Sequence, residues 1–237
     1  MAATTSAVTT TTAADGTVAL ITMDDGKANA LSTSMIADIS AALDDAVADE
    51  ACVAAVLAGR AGRFSGGFDL GVMQSGDMSA IVNLVADGGA LVRKIYGCGL
   101  PVIAACTGHA VAAGALMLVG SDVRVGAEGP FKIGLNEVAI GLTLPDWAHT
   151  IAFERLSKRH IQRAIANARL TDPTVAVDVG FLDRVVAPEQ VIDAALEEAA
   201  AMAPLDRGAY RRTMSGFRKP TLDTMDAQIA ADRAQAS

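Results

Sequence analysis

The sequence predicts an α/β protein built around a mostly parallel sheet, and three observations carry that expectation. Short apolar runs recur at residues 17–25, 52–59, 101–106 and 122–127. Between them lie stretches whose apolar residues repeat at helical spacing, an alternation typical of parallel sheets covered on both faces. Hydrophobic residues make up 51% of the chain and aromatic ones only 4%, so alanine, valine and glycine carry the apolar fraction and suit close helix-on-sheet packing.

The chain opens on MAATTSAVTTTTAADG, whose Thr and Ala repetition reads as a flexible tail over residues 1–15, leaving one domain over 16–237. TVALITMDD is rich in β-branched residues and ends in a turn signal, so it reads as a strand. Met35, Ile36, Ile39, Leu43 and Val47 then recur at helical spacing behind Ser32, a good N-cap. CVAAVLAG follows as a strand, residues 78–96 as a helix, and PVIAAC and DVRVGA as two further strands. From about residue 145 the pattern turns helical: DWAHTIAFERLSKRHIQRAIANA, PEQVIDAALEEAAAMA, and segments 205–217 and 221–234. These helices have no strands of their own to cover, so they must fold back on the core or pack against another subunit. The core is expected over about 16–190 and the C-terminal helices over about 191–237. No Pro-, Gly- or Ser-rich linker separates a second domain.

A net charge of −8 and a pI of about 4.8 leave no basic footprint for nucleic acid. Cys52, Cys98 and Cys106 form no CxxC and are odd in number, so they read as buried small hydrophobes and not as a disulfide framework. His109, His149 and His160 show no metal-ligand spacing, and no metal is expected. The N-terminus has neither the basic nor the apolar region of a signal peptide, and no uninterrupted apolar run is long enough to span a membrane. A cytoplasmic protein without membrane partners is expected.

Two glycine-rich loops follow strands: GRAGRFSGGFDLG at 59–71 and TGHAVAAGALMLVGSD at 107–122. Neither carries a GKS or GKT ending or a GxGxxG pattern, so neither phosphate-binding fingerprint is present. Small residues leave backbone N–H groups accessible, and a helix starting near Ala112 would aim its free N–H groups at a bound oxygen. Two such loops could polarise a carbonyl between them. Either loop alone is better explained by tight turns and close packing. One further segment stands out: FKIGLNEVAIGLTLPDWA, where Glu137 is the single glutamate among apolar residues.

The two loops, in this order and at this separation, resemble the crotonase (enoyl-CoA hydratase and isomerase) superfamily from about residue 16 to about 200. KANALS at 27–32 is similar to the family's CoA-contacting segment, FSGGFDL to its FxAGxDL loop, GHAVAAGALMLVGSD to its second loop and helix, and DVGFLDRVVAPEQV to its later Gly–Asp–Val pattern. The resemblance implies a ββα spiral core with a C-terminal helical trimerisation region, and a homotrimer or a dimer of trimers. It also implies an acyl-CoA thioester substrate in fatty-acid metabolism, with no cofactor beyond the coenzyme A that the substrate carries.

Carried over residue by residue, the family's two oxyanion donors fall on the backbone N–H groups of Phe68 and Ala113, where Ala in place of the commoner Gly restricts the backbone slightly. Lys27, Ala28 and Ala30 match positions lining the CoA nucleotide, although Lys27 alone reads equally well as a solvated surface lysine. Gly66, Gly67, Asp69, Leu70 and Gly114 shape the loops around the thioester. Hydratases of the family carry two catalytic glutamates; here the first position holds Leu116 and the second Glu137. IGLNEVAIGL is similar to the 3,2-enoyl-CoA isomerase branch, which also has leucine at the first position. One carboxylate suffices to move a proton from C2 to C4, whereas adding water needs a second polar group. Isomerisation of 3-enoyl-CoA to 2-trans-enoyl-CoA is therefore expected. The alternatives are a hydratase (lyase) using another acid, with Asp146 the first candidate, and a non-catalytic acyl-CoA binding protein. Small residues in AIGLTLP suggest an elongated acyl channel.

Overall fold

A computed structural model describes residues 6–235. In chain order the elements are β1 (Val8–Ala13), β2 (Val18–Met23), β3 (Ala30–Leu31), α1 (Thr33–Ala48), β4 (Ala54–Gly59), β5 (Gly62–Ser65), β6 (Gly67–Phe68), α2 (Leu70–Met73) and α3 (Met78–Tyr96). They continue with β7 (Val102–Cys106), β8 (Gly108–Val111), α4 (Ala113–Gly120), β9 (Val123–Ala127), β10 (Ile133–Gly134), a 3₁₀ turn (Val138–Ile140), α5 (Asp146–Arg155), α6 (Ile161–Ala164) and α7 (Pro173–Val179). After them come β11 (Arg184–Val186), a second 3₁₀ turn (Pro188–Gln190), α8 (Val191–Ala200) and α9 (Arg207–Gln235).

The main sheet has six strands in the order β1-β2-β4-β7-β9-β11, parallel throughout except for β1. All six residues of β4 are buried, as expected for a strand covered on both faces. Its alternation sorts them: Ala54, Val56 and Ala58 meet Ala194, Ala195 and Ala199 of α8, while Ala55 and Leu57 join the larger core with α1, α3 and α4. Helix caps follow the sequence. Ser32 Oγ accepts the Met35 N–H at 3.2 Å and Asp77 Oδ1 accepts the Ala80 N–H at 3.0 Å, so α1 and α3 start where Ser and Asp direct. A second, three-stranded sheet, β10-β8-β5, and the short pair β3-β6 sit across the ends of the main strands and carry the glycine-rich loops.

Four expectations are corrected. Of the tail expected over residues 1–15, residues 8–13 form β1, which pairs antiparallel with β2 from Val8↔Met23 to Ala13↔Val18; residues 1–5 lie outside the described region. The hairpin closes through Ala14, Asp15 and Gly16, all at positive φ, and the exposed side chains of Thr9–Thr12 fit an edge strand. The stretch after residue 145 does contain a strand, β11, and α8 does cover the sheet. The long helix expected over DWAHTIAFERLSKRHIQRAIANA breaks between Arg155 and Ile161. Finally, segments 205–217 and 221–234 are one helix, α9, running through Pro220. This helix folds back on its own core: Arg218 stacks 4.3 Å from the Tyr96 ring and pairs with Asp122, and Leu222, Met225 and Ile229 are buried.

Candidate active site

Three segments meet around one cavity of about 530 Å³. The first is the β5–β6 loop. Its anchor is Asn29, fully buried at φ 50°, whose Nδ2 donates to the Met23 carbonyl at 2.8 Å and reaches the carbonyls of Arg63 and Phe64. Ser65 Oγ donates to the Asn29 carbonyl at 2.7 Å, and the Gly66 N–H donates to the Ala28 carbonyl at 2.8 Å. Just after β6 the Asp69 N–H donates to the Leu31 carbonyl of β3. Successive N–H groups of an extended strand point to opposite sides, so the Phe68 N–H faces away from β3.

The second segment is the β8–α4 junction. Ala112 adopts φ 53°, ψ −128°, a conformation costly for any side-chain-bearing residue, held by its N–H bond to the Gly134 carbonyl at 3.0 Å. The chain thereby turns sharply into α4, and Ala113 becomes the first helical residue, whose N–H has no acceptor within the helix. The two loops interlock. A Cβ on Gly114 would lie 2.5 Å from the Ser65 carbonyl oxygen, and one on Gly67 (φ +94°) 3.1 Å from the Val111 oxygen and 3.5 Å from the Ala113 nitrogen. Only glycine permits that approach.

The third segment follows β10. Asn136 and Glu137 enter the 3₁₀ turn, and the Glu137 carbonyl accepts the N–H groups of Ile140 and Leu142. Both side chains line the cavity, and each has a buried oxygen, Asn136 Oδ1 and Glu137 Oε2, without a hydrogen-bond partner. Burial pushes the Glu137 carboxyl up to about 7, against the weaker opposing pull of its own and the Asn136 backbone N–H groups. A carboxyl poised there can accept and return a proton near neutral pH.

Phe68, Gly66, Leu70, Leu116 and Glu137 all line the cavity, as does Ala112 just before Ala113 and Gly114. The other expected residues sit further out. Asp69 caps α2 by accepting the Gly71 N–H at 2.7 Å; Ala28 lies half-buried in the loop between β2 and β3 and Ala30 half-buried at the start of β3; Lys27 is exposed in that loop, its carbonyl held by Arg60. Asp146, the alternative acid, is exposed at the start of α5, 3.9 Å from His149, and does not line the cavity. Sequence reasoning missed Asn136, Trp147, Met73 and Val85, all of which line it. The signals were an amide directly before the glutamate and the chain's single tryptophan.

The chain matches the enoyl-CoA hydratase/isomerase family over residues 13–236. It belongs to that family. The human mitochondrial enoyl-CoA delta isomerase 1 is 28% identical over 217 residues, 91% of this chain and 72% of the human one. The crystal structure of an enoyl-CoA hydratase/isomerase family protein from Pseudomonas syringae superposes with a TM-score of 0.91 at 42% identity, covering 98% of both chains. That of an enoyl-CoA hydratase from Mycobacterium marinum gives 0.89 at 35%, covering 98% of this chain and 100% of the other. Among the described residues no helix is long and apolar enough to cross a membrane.

Proposed function

We propose that the protein isomerises 3-enoyl-CoA to 2-trans-enoyl-CoA. The observation that carries this reading is Glu137, a carboxyl raised to about 7 in a cavity that Leu116 also lines and where no other carboxylate is present among the lining residues. The thioester oxygen accepts from the backbone N–H groups of Phe68 and Ala113, which lowers the cost of removing a C2 proton. Glu137 takes that proton while the C2–H electron pair delocalises onto the thioester oxygen as a dienolate. The dienolate then collapses through C4, which takes the proton back and regenerates the carboxylate. Lys27, Ala28 and Ala30, between β2 and β3 and at the start of β3, hold the coenzyme A portion, and Gly66, Gly67 and Leu70 the region around the thioester.

The unpaired Asn136 Oδ1 beside Glu137 favours one second reading, hydration of 2-enoyl-CoA, because a water donating to both oxygens would be held for attack. Purified protein offered 3-enoyl-CoA and 2-enoyl-CoA separately, with products resolved, decides between them: the isomerase reading fails if hydration is the faster reaction. We further propose a trimer or dimer of trimers, supported by Phe153 exposed on α5 and Phe217 exposed on α9. A monomer in sedimentation at micromolar concentration would refute it.

A further inference from the structure

Helix α3 carries two consecutive glycines in its middle, Gly88 and Gly89, where glycine is disfavoured relative to alanine. Each receives an aromatic ring. A Cβ on Gly88 would lie 2.3 Å from Cε1 and 2.4 Å from Cζ of Phe68, and one on Gly89 2.8 Å from Cε2 of Trp147. Both rings line the cavity, as does Val85, three residues before Gly88 on the same face of α3. The glycines therefore shape the cavity wall.

We propose that the Phe68 ring, seated in the notch that Gly88 leaves in α3, sets the length of acyl chain the cavity accepts. The proposal rests on the acyl-CoA reading above. With the thioester oxygen held by the Phe68 and Ala113 N–H groups, the acyl chain must run on past Glu137 through the apolar lining of Phe68, Val85, Leu116 and Trp147. Phe68 thus serves twice: its backbone fixes where the chain begins and its side chain limits where it can go. No larger residue at position 88 leaves the ring where it is, so the pair Phe68–Gly88 acts as one gauge.

The test is binding of straight-chain saturated acyl-CoAs of increasing length, which cannot be isomerised, measured calorimetrically on the full chain. Wild-type affinity should rise about fourfold per added methylene while methylenes are being buried, then level off at a limiting length. Gly88→Ala drives the ring into the cavity and should shorten that limit. Phe68→Ala removes the ring and should lengthen it. The double variant Phe68→Ala/Gly88→Ala should keep the long limit, because the new Cβ enters vacated space. The same limit in wild type, Phe68→Ala and the double variant overturns the proposal while leaving the acyl-CoA reading intact, even if Gly88→Ala alone does not fold. A wild type that binds no acyl-CoA better than free coenzyme A overturns both.

Discussion

Replacing Glu137 by glutamine keeps the shape of the side chain and removes its titration, so catalysis and stability should move in opposite directions. On the proposed reading both proton transfers pass through this carboxyl, and turnover should fall by about 10³-fold or more with KM little changed. The stability effect follows from burial. Folding raises the carboxyl from 4.5 to about 7, so the folded state holds the proton more tightly than the unfolded one. Ionised Glu137 therefore destabilises the fold above that range, and the penalty fades as pH falls toward the unfolded value. The full shift corresponds to about 3 kcal/mol at pH values above 7 and about 1 kcal/mol near pH 5.5. Since the glutamine amide is also desolvated, these are ceilings. Thermal unfolding of wild type and Glu137→Gln should show the variant more stable by up to about 6–12 °C near pH 8, with the gap narrowing markedly near pH 5.5. A gap independent of pH, or isomerisation surviving in the variant, would refute the assignment of Glu137 as a buried base.

Four other outcomes are expected. Wild-type kcat/KM for 3-enoyl-CoA should drop on the acid side with an inflection near 7, the pH to which burial pushes Glu137; a flat profile down to pH 5 would place the base elsewhere. Gly114→Val, whose side chain would enter the space of Ser65, should reduce turnover about a hundredfold, whereas Phe68→Leu should be mild with a short-chain substrate; equal losses in folded protein contradict backbone donation. Leu116→Glu should add measurable hydration of 2-enoyl-CoA, read from product separation, provided the fully buried position tolerates a charge. Ala112→Gly should raise the melting temperature, by about 2–4 °C for each kcal/mol of strain released; a lowered value would show that the φ 53° conformation is not strained.

The long periodic elements were legible in the sequence because burial dictates their pattern: Ile39 and Leu43 had to face a core, and all of β4 had to be apolar. What escaped had no pattern to read. The two-residue strands β3, β6 and β10 are too short for any period, yet they aim the Phe68 N–H and hold Ala112. Four exposed threonines in β1 lack alternation because an edge strand with little burial on either side imposes none. The break expected between 217 and 221 is bridged because Arg218, Leu222 and Met225 are buried against the core and carry α9 through Pro220. At the site, Glu137 stood out by its charge, while Asn136 and Trp147 acquire meaning only once folding turns them into the same cavity.

On the proposed reading, the grip on the carbonyl is made of main-chain atoms locked by the fit of Gly114 over Ser65 and Gly67 over Ala112, whereas the proton chemistry rests on the side chain of Glu137, from the separate segment after β10. The two halves of the machine are thus encoded in different alphabets, one in the absence of side chains and the other in their identity. On that reading an exchange at 137 falls outside both interlocked loops, so a descendant can change which bond is made without rebuilding the part that activates the substrate.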